Sequence, residues 1–340
     1  MKNSAVFLIS NHANLLDHLC PFAHESDLTL YYIVEDLLPL LLKYYPMVHH
    51  EHRVFLEILA LRNEYDTWIS SHSRFKDIVK PFFPLYGLQL PKFTYLCHGQ
   101  SDKWSEKEGP LHRNRPDVSI VYGPLEKQRL SPHHPTIEER GNFRRRFYEK
   151  FRSFYDGLVE KEIVPFLDPT KPVLLYAPTW NDKNLGSSFF DHAMQVIEDL
   201  KDAFQLIVKP HPRLILDNYS LWLKLELEAE KTGHFFFCSA FPAIYPLLNI
   251  VDVYLGDYSS IGYDFLSFQR PLFFLKTKTY RPLKLHKTGH VIESPKEILE
   301  GAFADRKKEI SNLYTETFGE NPIDNRPGKV QNGCHVAHLG

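Results

Sequence analysis

Asp252-Val-Tyr-Leu-Gly-Asp-Tyr-Ser-Ser-Ile-Gly-Tyr-Asp264, continuing to Arg270-Pro-Leu-Phe-Phe-Leu275, packs two apolar strands, a turn and a helix into one short stretch. Val253, Tyr254 and Leu255 form the first strand, which stops at Gly256-Asp257. Ser259 and Ser260 then open a predicted helix, Ser259–Phe268, that carries Asp264; Pro271 resets the chain for the strand Leu272–Leu275. A strand, a helix and a strand in this spacing read as a parallel pair with its crossover. Paired serines at the helix start allow two roles. Unpaired N–H groups, the helix dipole and two hydroxyls make an anion site there. Equally, Ser259 serves as an ordinary helix cap.

The same alternation extends outward. Strands are expected at Ala5–Ile9, Leu28–Val34, Tyr65–Ser70, Phe93–Cys97 and Val118–Tyr122, then at Val173–Ala177, Phe204–Lys209 and His234–Cys238. Helical runs lie between them, among them Asp36–Tyr45, Arg53–Arg62, Phe189–Lys201, Leu216–Lys231 and Pro242–Asn249. Short, continuously apolar strands separated by helices indicate parallel sheets covered on both faces. The fold class is therefore α/β, with two Rossmann-like parallel-sheet domains in a glycosyltransferase-B-type architecture and an inter-domain active cleft. The expected domains are the Rossmann-like 1–165 and 166–320, joined at the prolines Pro165, Pro169 and Pro172 after a long polar helix, 137–160. A tail, 321–340, rich in Gly, Pro and Asn, is expected to be partly disordered.

Composition excludes several classes. Forty basic and 42 acidic residues leave a formal charge of -2, so no global field recruits nucleic acid. Cys20, Cys97, Cys238 and Cys334 form no CxxC pair, which supports neither disulfides nor zinc and suits a reducing cytoplasm. No run of about 20 apolar residues offers a membrane span, and the N-terminal apolar run is interrupted by Asn11 and His12, unlike a signal peptide. P-loop, dinucleotide-fingerprint and nucleophile-elbow motifs are absent.

Four strand ends follow in order: Phe93-Thr-Tyr-Leu-Cys-His98-Gly99, Val173-Leu-Leu-Tyr-Ala-Pro178-Thr179, Phe204-Gln-Leu-Ile-Val-Lys209-Pro-His211-Pro, and the opening stretch with Ser259, Ser260 and Asp264. They resemble the Trp-His-Gly, Ala-Pro-Thr, His-Pro and Thr-Asp-Tyr-Ser-Ser…Phe-Asp segments of the CDP-glycerol glycerophosphotransferase family of teichoic-acid and capsule enzymes. The likeness is strongest over 173–275, weaker over 93–124 and absent before 90.

The resemblance implies a transferase that moves glycerol phosphate, or a related polyol phosphate, from CDP-glycerol to an acceptor hydroxyl and releases CMP. The acceptor would be a polyol-phosphate, glycan or lipid-linked precursor. His98 matches the family's catalytic base, with Gly99 permitting close backbone approach, and His211 matches a second histidine acting at the diphosphate. Pro178 and Thr179 would wall the cytidine or diphosphate. Lys209, Ser259 and Ser260 would bind phosphate, and Asp264 would hold a glycerol or sugar hydroxyl. No cofactor or metal is implied, and the location would be cytoplasmic, with peripheral membrane contact as a further option. The residues alone allow two other readings, a nucleotide-sugar glycosyltransferase and an inactive nucleotide-binding relative.

Three departures bear on the donor. The family arginine after Ala-Pro-Thr is missing from Trp180-Asn181-Asp182, the linker segment reads Gly123-Pro124-Leu125 without its arginine, and Cys97 replaces the aromatic before His98. Lost cations cost charge-assisted bonds to a diphosphate, so Arg129, Lys127 or Lys183 would have to substitute, or the donor differs. The tracts His49-His50-Glu51-His52 and His133-His134 are expected on solvated turns, and Arg144-Arg145-Arg146 on a solvated helix face.

Overall fold

The computed structural model describes residues 3–101, 116–181 and 185–322. The chain divides into two compact units: the first holds residues up to Gln100, the stretch ending at Phe151, and Glu316–Glu320, and the second holds Arg152–Thr315. The division falls ahead of the proline-rich stretch because the long helix expected at 137–160 is not continuous. Ile137–Glu139 is a strand, Phe143–Lys150 is a helix capped by the Asn142 side chain, and Phe151 leaves helical geometry before the next helix, Arg152–Glu162.

The first unit carries seven parallel strands: β1 (Ser4–Leu8), β2 (Leu30–Tyr32), β3 (His50–His52), β4 (Thr67–Ser70), β5 (Lys92–Leu96), β6 (Val118–Val121) and β7 (Ile137–Glu139). Their order is β3-β2-β1-β4-β5-β6-β7, which reverses direction between β1 and β4. One face is an aromatic core. The Phe7 and Trp68 rings lie 4.5 Å apart, with Phe75, Phe83 and Phe93 packed around Trp68. Burying each such ring contributes about 1.5–3 kcal/mol, which anchors β1, β4 and β5 as one rigid platform.

The second unit repeats the plan with β8 (Val173–Ala177), β9 (Gln205–Val208), β10 (Phe235–Phe237), β11 (Val253–Gly256), β12 (Leu272–Leu275) and β13 (His290–Ile292). The order is β10-β9-β8-β11-β12-β13, and every pairing is parallel. Leu174, Tyr176, Leu206, Val208, Leu255 and Phe273 meet Phe189, Val196, Ile197 and Leu200 of the helix Ser188–Leu200 in its core. Both sheets therefore reverse between their first and fourth strands, where open α/β sheets receive ligands beyond the carboxyl ends.

Three strands escape the sequence pattern: β3, β7 and β13 are three-residue edge strands, half-exposed, so no apolar run marks them. The His49–His52 tract accordingly forms an edge strand at its His50–His52 portion, not a solvated turn. His134 is buried against the Ser119 hydroxyl, which corrects the second tract. The arginine run is corrected too. Its helix packs on the helix Leu16–Glu25, so Arg144 is buried in an ion pair with Asp17 and Arg145 is buried as well. Only Arg146 is exposed, and it pairs with Glu25 at 2.8 Å. Cys20, Cys97 and Cys238 are free and buried, while Cys334 and the tail 323–340 lie outside the described residues. No described helix is long and apolar enough to cross a membrane.

Candidate functional site

In the second unit the switch point between β8 and β11 is organised by a carboxylate that the sequence reading did not single out. Asp257, at the end of β11, is 1% exposed. Its Oδ1 accepts the Thr179 N–H at 2.8 Å, and its Oδ2 accepts both the N–H and the hydroxyl of Ser188 at 2.8 Å. The Tyr258 N–H also donates to it. One buried anion thus fixes the loop after β8 and the start of the helix Ser188–Leu200, and converging backbone N–H groups replace the water it has lost. Thr179 and Pro178 are buried, and the Thr179 carbonyl accepts the Ser187 hydroxyl at 2.6 Å. The sequence signals for Asp257 are its place at an apolar strand's end and the Asp of the Thr-Asp-Tyr-Ser-Ser segment that this stretch resembles.

Ser260, partly exposed, occupies the N-cap position of the short helix Ile261–Phe265, but its hydroxyl makes no capping bond; Ser259 is buried just before it. The capping reading of Ser259 is therefore not what the fold uses. The tight approach at the strand end has a steric cause. A Cβ at Gly256 would lie 2.3 Å from the Tyr254 hydroxyl. Asp264 is buried, not solvated, and accepts the Tyr245 hydroxyl at 3.2 Å.

His211 follows β9. The Arg213 N–H donates to its Nδ1 at 3.2 Å, so the neutral ring carries its proton on Nε2. The guanidinium of Arg213 lies 4.5 Å over the Trp180 ring and is exposed. A cation from the segment that follows the neighbouring strand β9 thus stacks on the tryptophan just after Ala177-Pro178-Thr179. The substitutes named from sequence are otherwise engaged: Arg129 pairs with buried Glu126, Lys127 pairs with Glu139 at 2.8 Å, and Lys183 lies outside the described residues. Lys209 donates to the Phe241 carbonyl at 2.7 Å, so part of its hydrogen bonding goes to structure.

In the first unit His98 follows β5 and is exposed, with Nδ1 3.1 Å from the Tyr95 hydroxyl. Gly99 takes φ +85°, a left-handed backbone that explains glycine there better than close approach alone. Surrounding protein first of all, with neighbouring His72 and His12, lowers the His98 pKa from 6.5 to about 4, against a hydrogen bond to the Ser71 backbone that raises it. The ring's own exposure limits that desolvation, so the direction carries the argument: His98 is neutral, as a base must be. Cys97 is buried beside Glu126, with its thiol pushed up by burial. Among the described residues no group of His, Cys, Asp and Glu is arranged to hold a metal.

Residues 159–310 match the model of the CDP-glycerol:poly(glycerophosphate) glycerophosphotransferase family. The teichoic acid poly(glycerol phosphate) polymerase of Bacillus subtilis (strain 168) is 28% identical over 156 residues, 44% of this chain and 18% of that protein. The teichoic acid glycerol-phosphate primase of the same strain is 30% identical over 148 residues, 43% of this chain and 35% of that protein. The matches thus span about a third or less of these relatives' own lengths. Among solved structures, the wall teichoic acid polymerase TagF aligns with TM-score 0.60 at 14% identity, covering 93% of this chain and 84% of that one. A UDP complex of Staphylococcus aureus MnaA aligns with TM-score 0.55 at 13% identity, covering 95% and 92%. At such identities the likeness is one of fold, and it agrees with two parallel-sheet units of the glycosyltransferase-B class.

Proposed function

We propose that the chain belongs to the CDP-glycerol glycerophosphotransferase family, whose model residues 159–310 match, and that it transfers glycerol phosphate from CDP-glycerol to the hydroxyl of a polymer or lipid-linked acceptor in the cytoplasm. The observation that carries this reading is the second unit's switch point, where His211, Arg213 and the Thr179–Asp257 bond surround strand ends lying within the family segment.

The acceptor oxygen attacks the β-phosphorus, the bond to the bridging oxygen breaks, and CMP leaves. The family resemblance gives the role of the acceptor's base to His98, at the end of β5 in the first unit. The Nε2–H of His211, the Arg213 guanidinium and the Ser260 hydroxyl neutralise charge on the diphosphate as it moves to the leaving group. Pro178 and Thr179 wall the donor. Asp264, held by Tyr245, and Lys209, held by the Phe241 carbonyl, support this surface from behind. A membrane-surface position would come from a lipid-linked acceptor, since the arginine run is committed to pairs within the protein.

Calorimetry against CDP-glycerol, CDP-ribitol, UDP-sugars and CMP-sialic acid, followed by assay of CMP release, tests the proposal. Binding of CDP-glycerol with acceptor-dependent CMP release is expected. Tight UDP-sugar binding with no response to cytidine ligands overturns the proposal, and CDP-glycerol binding with no CMP release across acceptors points to an inactive relative.

A further inference from the structure

The helix that follows β6 buries a carboxylate beside the strand end that carries His98. Glu126 lies in the first turn of this helix, Pro124–Leu130, and is 2% exposed. Its Oε2 accepts the Gln100 side-chain N–H at 3.1 Å, and its Oε1 faces the Cys97 thiol at 3.8 Å. Arg129 donates its Nε–H to Oε2 at 3.0 Å and pairs with Oε1 as well, so a guanidinium neutralises the buried charge. Cys97 and Gln100 are both buried, while His98 between them is exposed. The Cys97 N–H donates to the Ile120 carbonyl of β6 at 2.9 Å, and Gly99 turns the chain at φ +85°. His98-Gly99 is thus a short spur gripped on both shoulders by one carboxylate. The small side chain at position 97 leaves room for that grip. An aromatic ring on the same Cβ would run into an oxygen that lies 3.8 Å from the thiol. Apolar packing stabilises such a spot about as well as a buried ion pair does; what the pair adds is a hold on the residues flanking the histidine.

We propose that Glu126 is a positioning residue for the reaction: by clamping Cys97 and Gln100 it fixes where His98 is presented to the acceptor hydroxyl. The inference rests on the reading of His98 as the base. Proton transfer needs the base within hydrogen-bond reach of the hydroxyl, and a displacement of about 1 Å costs on the order of 100-fold in rate. The ring is held by the Tyr95 hydroxyl, 3.1 Å from Nδ1, and by the Ser71 backbone. Those contacts orient an exposed imidazole only as well as the backbone beneath it is fixed, and Glu126 fixes that backbone from both sides.

The full chain is compared with Gln100→Ala, Glu126→Ala and Glu126→Gln. Gln100→Ala leaves the Glu126–Arg129 pair in place and strands no charge, which guards against misfolding. Glu126→Gln retains an oxygen for the Gln100 amide. With CDP-glycerol as donor, Gln100→Ala should lower kcat for CMP release about tenfold or more, hold donor affinity within about twofold and melt with the parent. Glu126→Ala should lose at least as much turnover, and Glu126→Gln should recover part of it. Histidine-ring NMR gives a second reading that needs no turnover. The groups facing His98 are Tyr95 on β5, His18 on the helix Leu16–Glu25, His12 after β1 and His72 after β4, the last two stacked with centroids 6.3 Å apart. A loosened spur moves the ring into water and away from these neighbours, so its pKa should climb back toward 6.5 in Gln100→Ala. Parental kcat and an unmoved His98 titration in Gln100→Ala overturn the proposal, and so does a kcat loss matched by equal losses of donor affinity and melting temperature. An upward move of the His98 titration in a chain that releases no CMP, or whose turnover survives His98→Ala, upholds the clamp and sinks the reading of His98 as the base instead.

Discussion

The Thr179 amide donates to the Asp257 carboxylate at 2.8 Å, joining the carboxyl ends of β8 and β11 at the point where the second sheet reverses. The same carboxylate holds Ser188 by its amide and hydroxyl. Asp257→Asn keeps the shape but turns an NH2 group toward donors. Because the group is 1% exposed, with little screening by solvent, the loss is expected to be about 2–4 kcal/mol of stability. Denaturant unfolding measures it, and an unchanged midpoint would show that the bonds are dispensable.

His211 has separable structural and chemical edges. His211→Asn retains an acceptor near the Nδ1 position for the Arg213 amide and removes the Nε2 donor. The variant should melt with the parent and bind CDP-glycerol about 10- to 100-fold more weakly. His211→Ala should lose both properties, which paired calorimetry and thermal melts would reveal.

In the proposed function Arg213 and Ser260 stand in for the absent family arginine. Arg213→Ala should lower donor affinity about tenfold, and Ser260→Ala by about 1.5–3 kcal/mol, with no loss of melting temperature since neither side chain caps a helix or is buried. If the melting temperature of Ser260→Ala falls while donor affinity holds, the serine is structural after all.

His98→Ala should reduce turnover about 100- to 10,000-fold and leave donor affinity intact. Because the His98 pKa is lowered from 6.5, the neutral base persists as pH falls below that value, and the acidic limb of kcat/KM should lie below it. An acidic limb at or above 6.5 that His98→Ala leaves in place would assign the titration to another group.

His18 gives a stability signal with a definite sign. Its pKa is lowered well below 6.5, first by burial, then by Arg144 and His98, and its Nδ1 lies 2.6 Å from the Tyr122 hydroxyl. Below 6.5 the unfolded chain binds a proton that the folded state refuses, so stability falls as pH drops through 6.5 toward the folded value. Unfolding curves across this range should show the fall, and His18→Gln should flatten it.

Sequence alone determined the α/β class, the order of the long strands and the residues at their carboxyl ends. Burial on both faces makes a central parallel strand continuously apolar, and the polar residues that end it stand out, as Ser259 and Ser260 do; His98, Thr179 and His211 were singled out by their resemblance to family segments at such strand ends. The three edge strands were not, because one side of each is exposed and the pattern is diluted. Only the tertiary structure decided who meets whom. Asp257 and Thr179, Arg213 and Trp180, and His12 and His72 are far apart in the chain. They become neighbours because parallel strands that adjoin in a sheet are joined by long crossovers, and a hydrogen bond or ring contact depends on that adjacency and not on spacing along the chain. The same physics turned Arg144, Arg145 and His134 inward. Burial beside a packed helix or sheet, with a partner waiting, overrides the exposure that composition would assign to a charge.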